Sequence, residues 1–172
     1  MKRSLLTGLL ATLLSFCGYA QKSVIATQTL SISLADVIDI RFENGQTAGP
    51  QLKMTFANAE DFYKGVESPM QKLKVRSNKD FTVSVRATTS SAANSNANFM
   101  YLKVPENKTG GRLASNFSNS SYQKLSDNNL VLVNDGQKGD DQTFSVQYKA
   151  KPGTVVDPGT YLIDVIYTAT RY

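Results

Sequence analysis

The feature that most restricts the fold of this chain is a strict alternation of apolar and polar side chains, clearest over residues 160–172, TYLIDVIYTATRY. Tyr161, Ile163, Val165, Tyr167 and Ala169 fall on one face, and Thr160, Asp164, Thr168 and Thr170 fall mostly on the other. A helix would scatter these residues around its axis, whereas an extended strand puts one set on a core and the other in water. Asp157-Pro158-Gly159 stands just before and predicts a type II turn, proline presetting the first φ and glycine taking the positive φ next to it. A strand this long and β-branched has to pair with others.

The rest of the chain offers them. Leu30, Ile32 and Leu34 alternate with Ser31 and Ser33, and Thr27 and Thr29 extend the pattern backward, which predicts a first strand. Ile38, Ile40 and Phe42 make the next strand, and Leu52, Met54 and Phe56 another. Residues 57–69 break the alternation and predict one short helical turn, limited by Gly65 and Pro69. Leu73 and Val75, a polar turn at 77–80, then Phe81, Val83, Val85 and Ala87 read as a hairpin. Residues 88–98 are polar and low in complexity, which predicts an exposed connection. A strand over 99–104 is closed by Pro105, and 106–128, rich in Asn, Ser and Gly, reads as surface loop. Leu130 to Val133 and the alternating Phe144, Val146 and Tyr148 read as a second hairpin around Asn134-Asp135-Gly136. About eight or nine short strands with one polar face each predict an all-β chain, an immunoglobulin-like antiparallel sandwich with a closed barrel as the alternative.

Residues 1–20 read as a signal peptide: Lys2 and Arg3 give a positive start, an apolar run extends to Phe16, and Gly18-Tyr19-Ala20 suits a signal peptidase. Cleavage is expected between Ala20 and Gln21, leaving residues 21–172 as a single domain exported through the Sec route to periplasm, cell surface or medium. The apolar run is too short to span a bilayer, and no later segment approaches the required ~20 apolar residues. Cys17 is the only cysteine and lies in the leader, so a disulfide within the mature chain is excluded. Bulky Phe16, where a bacterial lipoprotein usually has a small residue, argues against lipidation of Cys17.

The chain has no histidine. Together with the missing cysteine, this excludes Ser-His-Asp and Cys-His nucleophiles and the usual nitrogen and sulfur zinc sites. Lys108-Thr109-Gly110, Ser121-Tyr122-Gln123-Lys124 and Ser126-Asp127-Asn128 match the three signatures of penicillin-recognising serine enzymes, but in an order and spacing that do not build that site. Asp135, Asp140 and Asp141 suit a hairpin turn better than an oxygen cage for calcium. The expectation is a non-enzymatic chain with no cofactor. Of the formal charge of +5, Lys2 and Arg3 in the leader supply two units. Lys72, Lys74, Arg76 and Lys79 form the one basic concentration. It reads as the wet face of a strand rather than a patch for anionic polysaccharide or nucleic acid, since no aromatic residues are interleaved. Without tryptophan, Tyr63, Tyr101 and Tyr122 are the candidates for stacking on sugar.

Residues 77–87 (SNKDFTVSVRA) and 157–172 (DPGTYLIDVIYTATRY) resemble the exported sandwich domains of bacterial surface-fibre subunits, spore-coat-U-like and chaperone-usher pilin-like proteins in particular. The Ala-Gln end of the leader is similar to those of Bacteroidota exports. The resemblance implies a fimbrial or adhesive cell-surface subunit that joins identical or related subunits by strand addition, served by a periplasmic chaperone and an outer-membrane usher. Leu30, Ile32 and Leu34 would then be the donated side chains, unless their segment is the domain's own first strand. The alternative is a periplasmic or secreted module binding polysaccharide or peptidoglycan.

Overall fold

The computed structural model describes residues 26–89, 98–153 and 156–172. Residues 35–172 form one compact unit. In chain order its elements are β1 (Ile38–Phe42), α1 (Ala59–Lys64), β2 (Val66–Glu67), β3 (Gln71–Ser77), β4 (Phe81–Thr89), β5 (Met100–Lys108), β6 (Arg112–Leu113), β7 (Gln123–Lys124), β8 (Leu130–Gly136), β9 (Gly139–Ala150) and β10 (Ile163–Arg171). The strands form two antiparallel sheets. One runs β1-β3-β9-β5-β7, with β2 also on β9, and the other runs β10-β4-β8-β6. The chain is an all-β sandwich, as the alternation requires.

Alternation decides what each strand buries. Leu73 and Val75 of β3, Met100, Leu102 and Val104 of β5, and Phe144, Val146, Tyr148 and Ala150 of β9 face inward from the first sheet. Phe81, Val83, Val85 and Ala87 of β4 meet them from the second. The two flanks of this sandwich are unlike. On one, the chain leaving β6 crosses from sheet to sheet to reach β7, burying Phe117 on the way and Leu125 just after β7. It is tied by Val104 N to Ser118 O, Leu125 N to Met100 O and Ala114 N to Leu132 O. On the other flank stand β1 and β10, the end strands of their sheets.

Several sequence expectations are corrected here. Neither predicted hairpin exists: β3 and β4 belong to different sheets, as do β8 and β9, so both connections are arches across the core. Period two reports which side chains share a face, and an arch preserves that pattern as well as a hairpin does. β5 does not stop at Pro105 but passes through it, with a register shift between Lys103 and Glu106, where a residue without an N–H costs no ladder bond. Leu52, Met54 and Phe56 pack half-buried against the core without forming a strand. Gly159 has no positive φ. That turn is held instead by the Tyr161 hydroxyl donating to Asp157 O at 2.7 Å. The predicted helical turn is α1, where Asn58 and Asp61 each accept the other's backbone N–H in a capping box.

The sheets are also joined by one polar contact through the core. The hydroxyls of Tyr148 on β9 and Tyr167 on β10 lie 2.9 Å apart. Burial pushes the Tyr148 hydroxyl up to about 12 and raises Tyr167 well above the ordinary tyrosine value. Because each group holds its proton more tightly folded than unfolded, this stability is present below pH ~10 and is lost as pH rises toward 12 and beyond. Urea midpoints should therefore fall between pH 9 and 11.5, and less steeply in a Tyr148→Phe/Tyr167→Phe double variant. At neutral pH, Tyr148→Phe alone should cost about 1–3 kcal/mol by stranding its partner's hydroxyl, while the double variant should cost less. An alkaline loss unchanged by the double variant would contradict the assignment.

Candidate assembly site

β1 and β10 run beside each other, one from each sheet. The rings of Phe42 and Tyr167 meet edge to face at 6.5 Å, and Arg171 reaches Asp36 at 3.7 Å, but no ladder joins the two strands. β1 pairs only with β3, and β10 only with β4 over its whole length, Ile163 opposite Thr89 through Arg171 opposite Phe81. Each therefore carries one row of backbone donors and acceptors with no strand beside it among the described residues. Their inward side chains, Ile38, Ile40 and Phe42 on β1 and Ile163, Val165, Tyr167 and Ala169 on β10, face the core yet are only half-buried. Every other long strand contributes fully buried residues; these two contribute none. Among the described residues the flank is thus a half-buried apolar face between two sheet ends that carry no further strand.

Ala20, Gln21 and Cys17 lie outside the described residues. The first strand predicted over 27–34 is not formed: the described part, residues 26–34, carries no regular structure. Leu30, Ile32 and Leu34 are 76%, 79% and 87% exposed. Alternation marks a segment able to become a strand, but a strand needs a partner, and residues 26–34 pair with no strand among the described residues.

The remaining candidates are dispersed. Tyr63 stands on α1 and is 63% exposed. Tyr101 and Tyr122 instead share a neighbour on the outer face of the six-stranded sheet: Tyr101 is directly opposite Lys149, and the Lys149 ammonium lies 5.4 Å from the Tyr122 ring centre. The Tyr122 hydroxyl oxygen is out of contact with water and has no hydrogen-bond partner of good geometry. Burial, with the Glu67 carboxylate nearby, raises its ionisation well above the usual value.

The serine-lysine signatures do not converge. Ser121 shares its hydroxyl with Ser118 at 2.6 Å, and Lys124 pairs across from Tyr101. Thr109 lies buried beyond the other end of β5, its hydroxyl 2.7 Å from Asn107 Oδ1. Tyr101 and Lys108 are themselves seven residues apart, roughly 23 Å along a strand. The aspartates of the β8–β9 turn separate as well: Asp135 takes Arg112 and the Tyr172 hydroxyl, and Asp141 takes Lys74. These partners hold both carboxyls below the usual range. No group of three potential metal ligands forms among the described residues. The three lysines of the basic run are paired, Lys72 with Glu43, Lys74 with Asp141 and Lys79 with Asp36, and Arg76 stands exposed on β3. Among the described residues no helix is long and apolar enough to cross a membrane. Comparison with protein-family models and with curated proteins finds no match.

The two flanks differ in a measurable way. Val83→Ala, in the closed interior, should cost about 2 kcal/mol or more, and Val165→Ala, on the open flank, about 1 kcal/mol or less. Equal losses in urea unfolding would show that β10 is not at an incomplete edge.

Proposed function

We propose that this chain is an exported, non-enzymatic structural or adhesive subunit of a bacterial surface, and that it joins neighbouring copies by strand addition. The observation that carries the reading is the coincidence of an acceptor and a donor in one sequence. The acceptor is the flank of β1 and β10, with unpaired edges and half-buried inward residues. The donor is residues 26–34, unpaired and exposing Leu30, Ile32 and Leu34 on alternate positions. Strand addition meets both needs at once: main-chain bonds complete the edge, and every second side chain enters the apolar face. Burying a leucine or isoleucine contributes about 1.5–3 kcal/mol each, so three of them together give a usable driving force.

Donation to a second copy is favoured over self-insertion by the way residues 35–37 are held. Asn78 Nδ2 donates to Ala35 O at 3.0 Å, Asn78 Oδ1 accepts from Val37 N at 2.9 Å, and Asn78 N donates to Val37 O at 3.2 Å. Asp36 is paired with Lys79 and with Arg171, and these cations hold its carboxyl below the usual range, the hydrogen bond from Lys79 first. A tight reversal of the chain at 35–37 would forfeit all of these bonds. The signal-peptide reading of residues 1–20 supports export, and the likeness of residues 77–87 and 157–172 to pilin-like sandwiches supports a surface fibre.

Full-length mature protein should form multimers that resist mild detergent, and removal of residues 21–34 should leave monomers. Ile32→Asp should act like the removal. A synthetic peptide of residues 26–34 should bind the shortened protein and stabilise it by about 2.7 kcal/mol at a free concentration ~100 times its Kd. A monomeric full-length protein, or a shortened protein indifferent to the peptide, would refute the reading.

A further inference from the structure

The outer face of the six-stranded sheet is not uniform in charge. Toward β1 and β3 both its lysines are paired, Lys72 with Glu43 and Lys74 with Asp141. Toward β7 one of three lysines is, Lys149 with Glu67. Tyr101 on β5 has Lys124 of β7 directly opposite on one side and Lys149 of β9 directly opposite on the other. Lys103 lies on the same outward face of β5, its ammonium 4.6 Å from the centre of the Tyr122 ring. The Lys149 ammonium is at 5.4 Å from that same ring, so one aromatic surface gathers two cations. The one carboxylate close to them is Glu67, 3.4 Å from Lys149 Nζ. Lys103 has no carboxylate within ion-pair distance among the described residues.

The geometry points to a ligand site here for an acidic polysaccharide, with the ammonium groups of Lys103, Lys149 and Lys124 taking its carboxylates and Tyr101 supplying the apolar surface between them. Three lysines face one glutamate, so the patch has an unmet demand for negative charge. Tyr122 holds Lys103 and Lys149 over its ring, which limits the freedom that a solvated lysine loses on binding an anion. Lys124 and Lys149 stand two strand spacings apart, roughly 10 Å. With its ring already faced by cations, Tyr122 is not a free platform for a base. The site lies on the outward side of the sheet and stands or falls independently of strand addition between subunits.

Affinity electrophoresis of the full-length mature protein tests it, in gels containing polygalacturonate, neutral dextran or single-stranded DNA. Polygalacturonate should retard the protein, more weakly as salt rises, and dextran should not. Lys103→Gln/Lys149→Gln should weaken the retardation about tenfold or more, as expected for losing hydrogen bonds to charged groups. Lys72→Gln/Lys74→Gln, which removes equal charge from the same sheet, should change it by less than about twofold. Should the first double variant fail to fold by circular dichroism, Tyr122 decides the matter. Tyr122→Phe keeps the ring and should bind as the native protein does, whereas Tyr122→Leu should bind more weakly with every lysine intact. Absence of retardation, equal retardation by dextran, tighter binding to DNA, or equal losses from both lysine pairs would overturn the site.

Discussion

The free edge of β10 governs this structure, because a strand hydrogen-bonded on one side only cannot close the core beneath it. The contrast with the opposite flank makes the point. There the chain crosses between the sheets from β6 to β7, and Phe117 on that crossing and Leu125 just beyond β7 are buried in the interior. Beside β10 no further strand is paired among the described residues, and none of its own residues is fully buried. Tyr167 is half-buried as a residue, with its hydroxyl turned inward onto Tyr148. The end of the strand is pinned by Tyr172, through its backbone N–H to Asp80 O and its hydroxyl to Asp135. Those tethers hold β10 in place without covering it. Local stability should accordingly be greatest in β4, β5, β8 and β9, whose inward residues are wholly buried, and least along β1 and β10.

The same physics explains both the legible and the illegible parts of the sequence. Alternation is written in the order of residues, so the faces of β3, β4, β5, β9 and β10 were readable, Ile163 to Ala169 most plainly. Sheet membership is not written there, since a reversal of direction looks alike whether the chain returns in the same sheet or the other. The turns at 77–80 and after Asn134 therefore read as hairpins and are arches. Phe117 sits singly in Ser115-Asn116-Phe117-Ser118, with no neighbour at period two, so nothing local marked it as core; the signal available was only a large apolar residue in a polar loop. Leu30, Ile32 and Leu34 present the reverse case, a strong strand pattern with no strand, because pairing is a property of two segments.

The outer face was partly legible for a similar reason. The run Lys72, Lys74, Arg76 draws the eye in one dimension, yet register brings Glu43 and Asp141 to its two lysines and neutralises them. Lys103, Lys124 and Lys149 are far apart in sequence and draw no attention. Antiparallel pairing through Tyr101 lines them up across three strands, and this is where positive charge is left over.

An open apolar flank and an uncharged alternating segment are each hazards alone. Residues 26–34 contain no charged side chain and no proline, the composition that favours pairing with any available edge. Over its nine residues β10 carries only Asp164 and Arg171 as charges, a thin guard for a long edge. A protein that kept both features in water without letting them meet would be prone to disordered association. In the strand addition proposed above, the segment of one copy would meet the flank of the next, each would remove the other's hazard, and the pins at 35–37 would favour a meeting between molecules. Under the proposed strand addition the contact would be heterologous, donor on one copy and acceptor on another, so it would repeat head to tail and yield a linear array unless its rotation closed a ring.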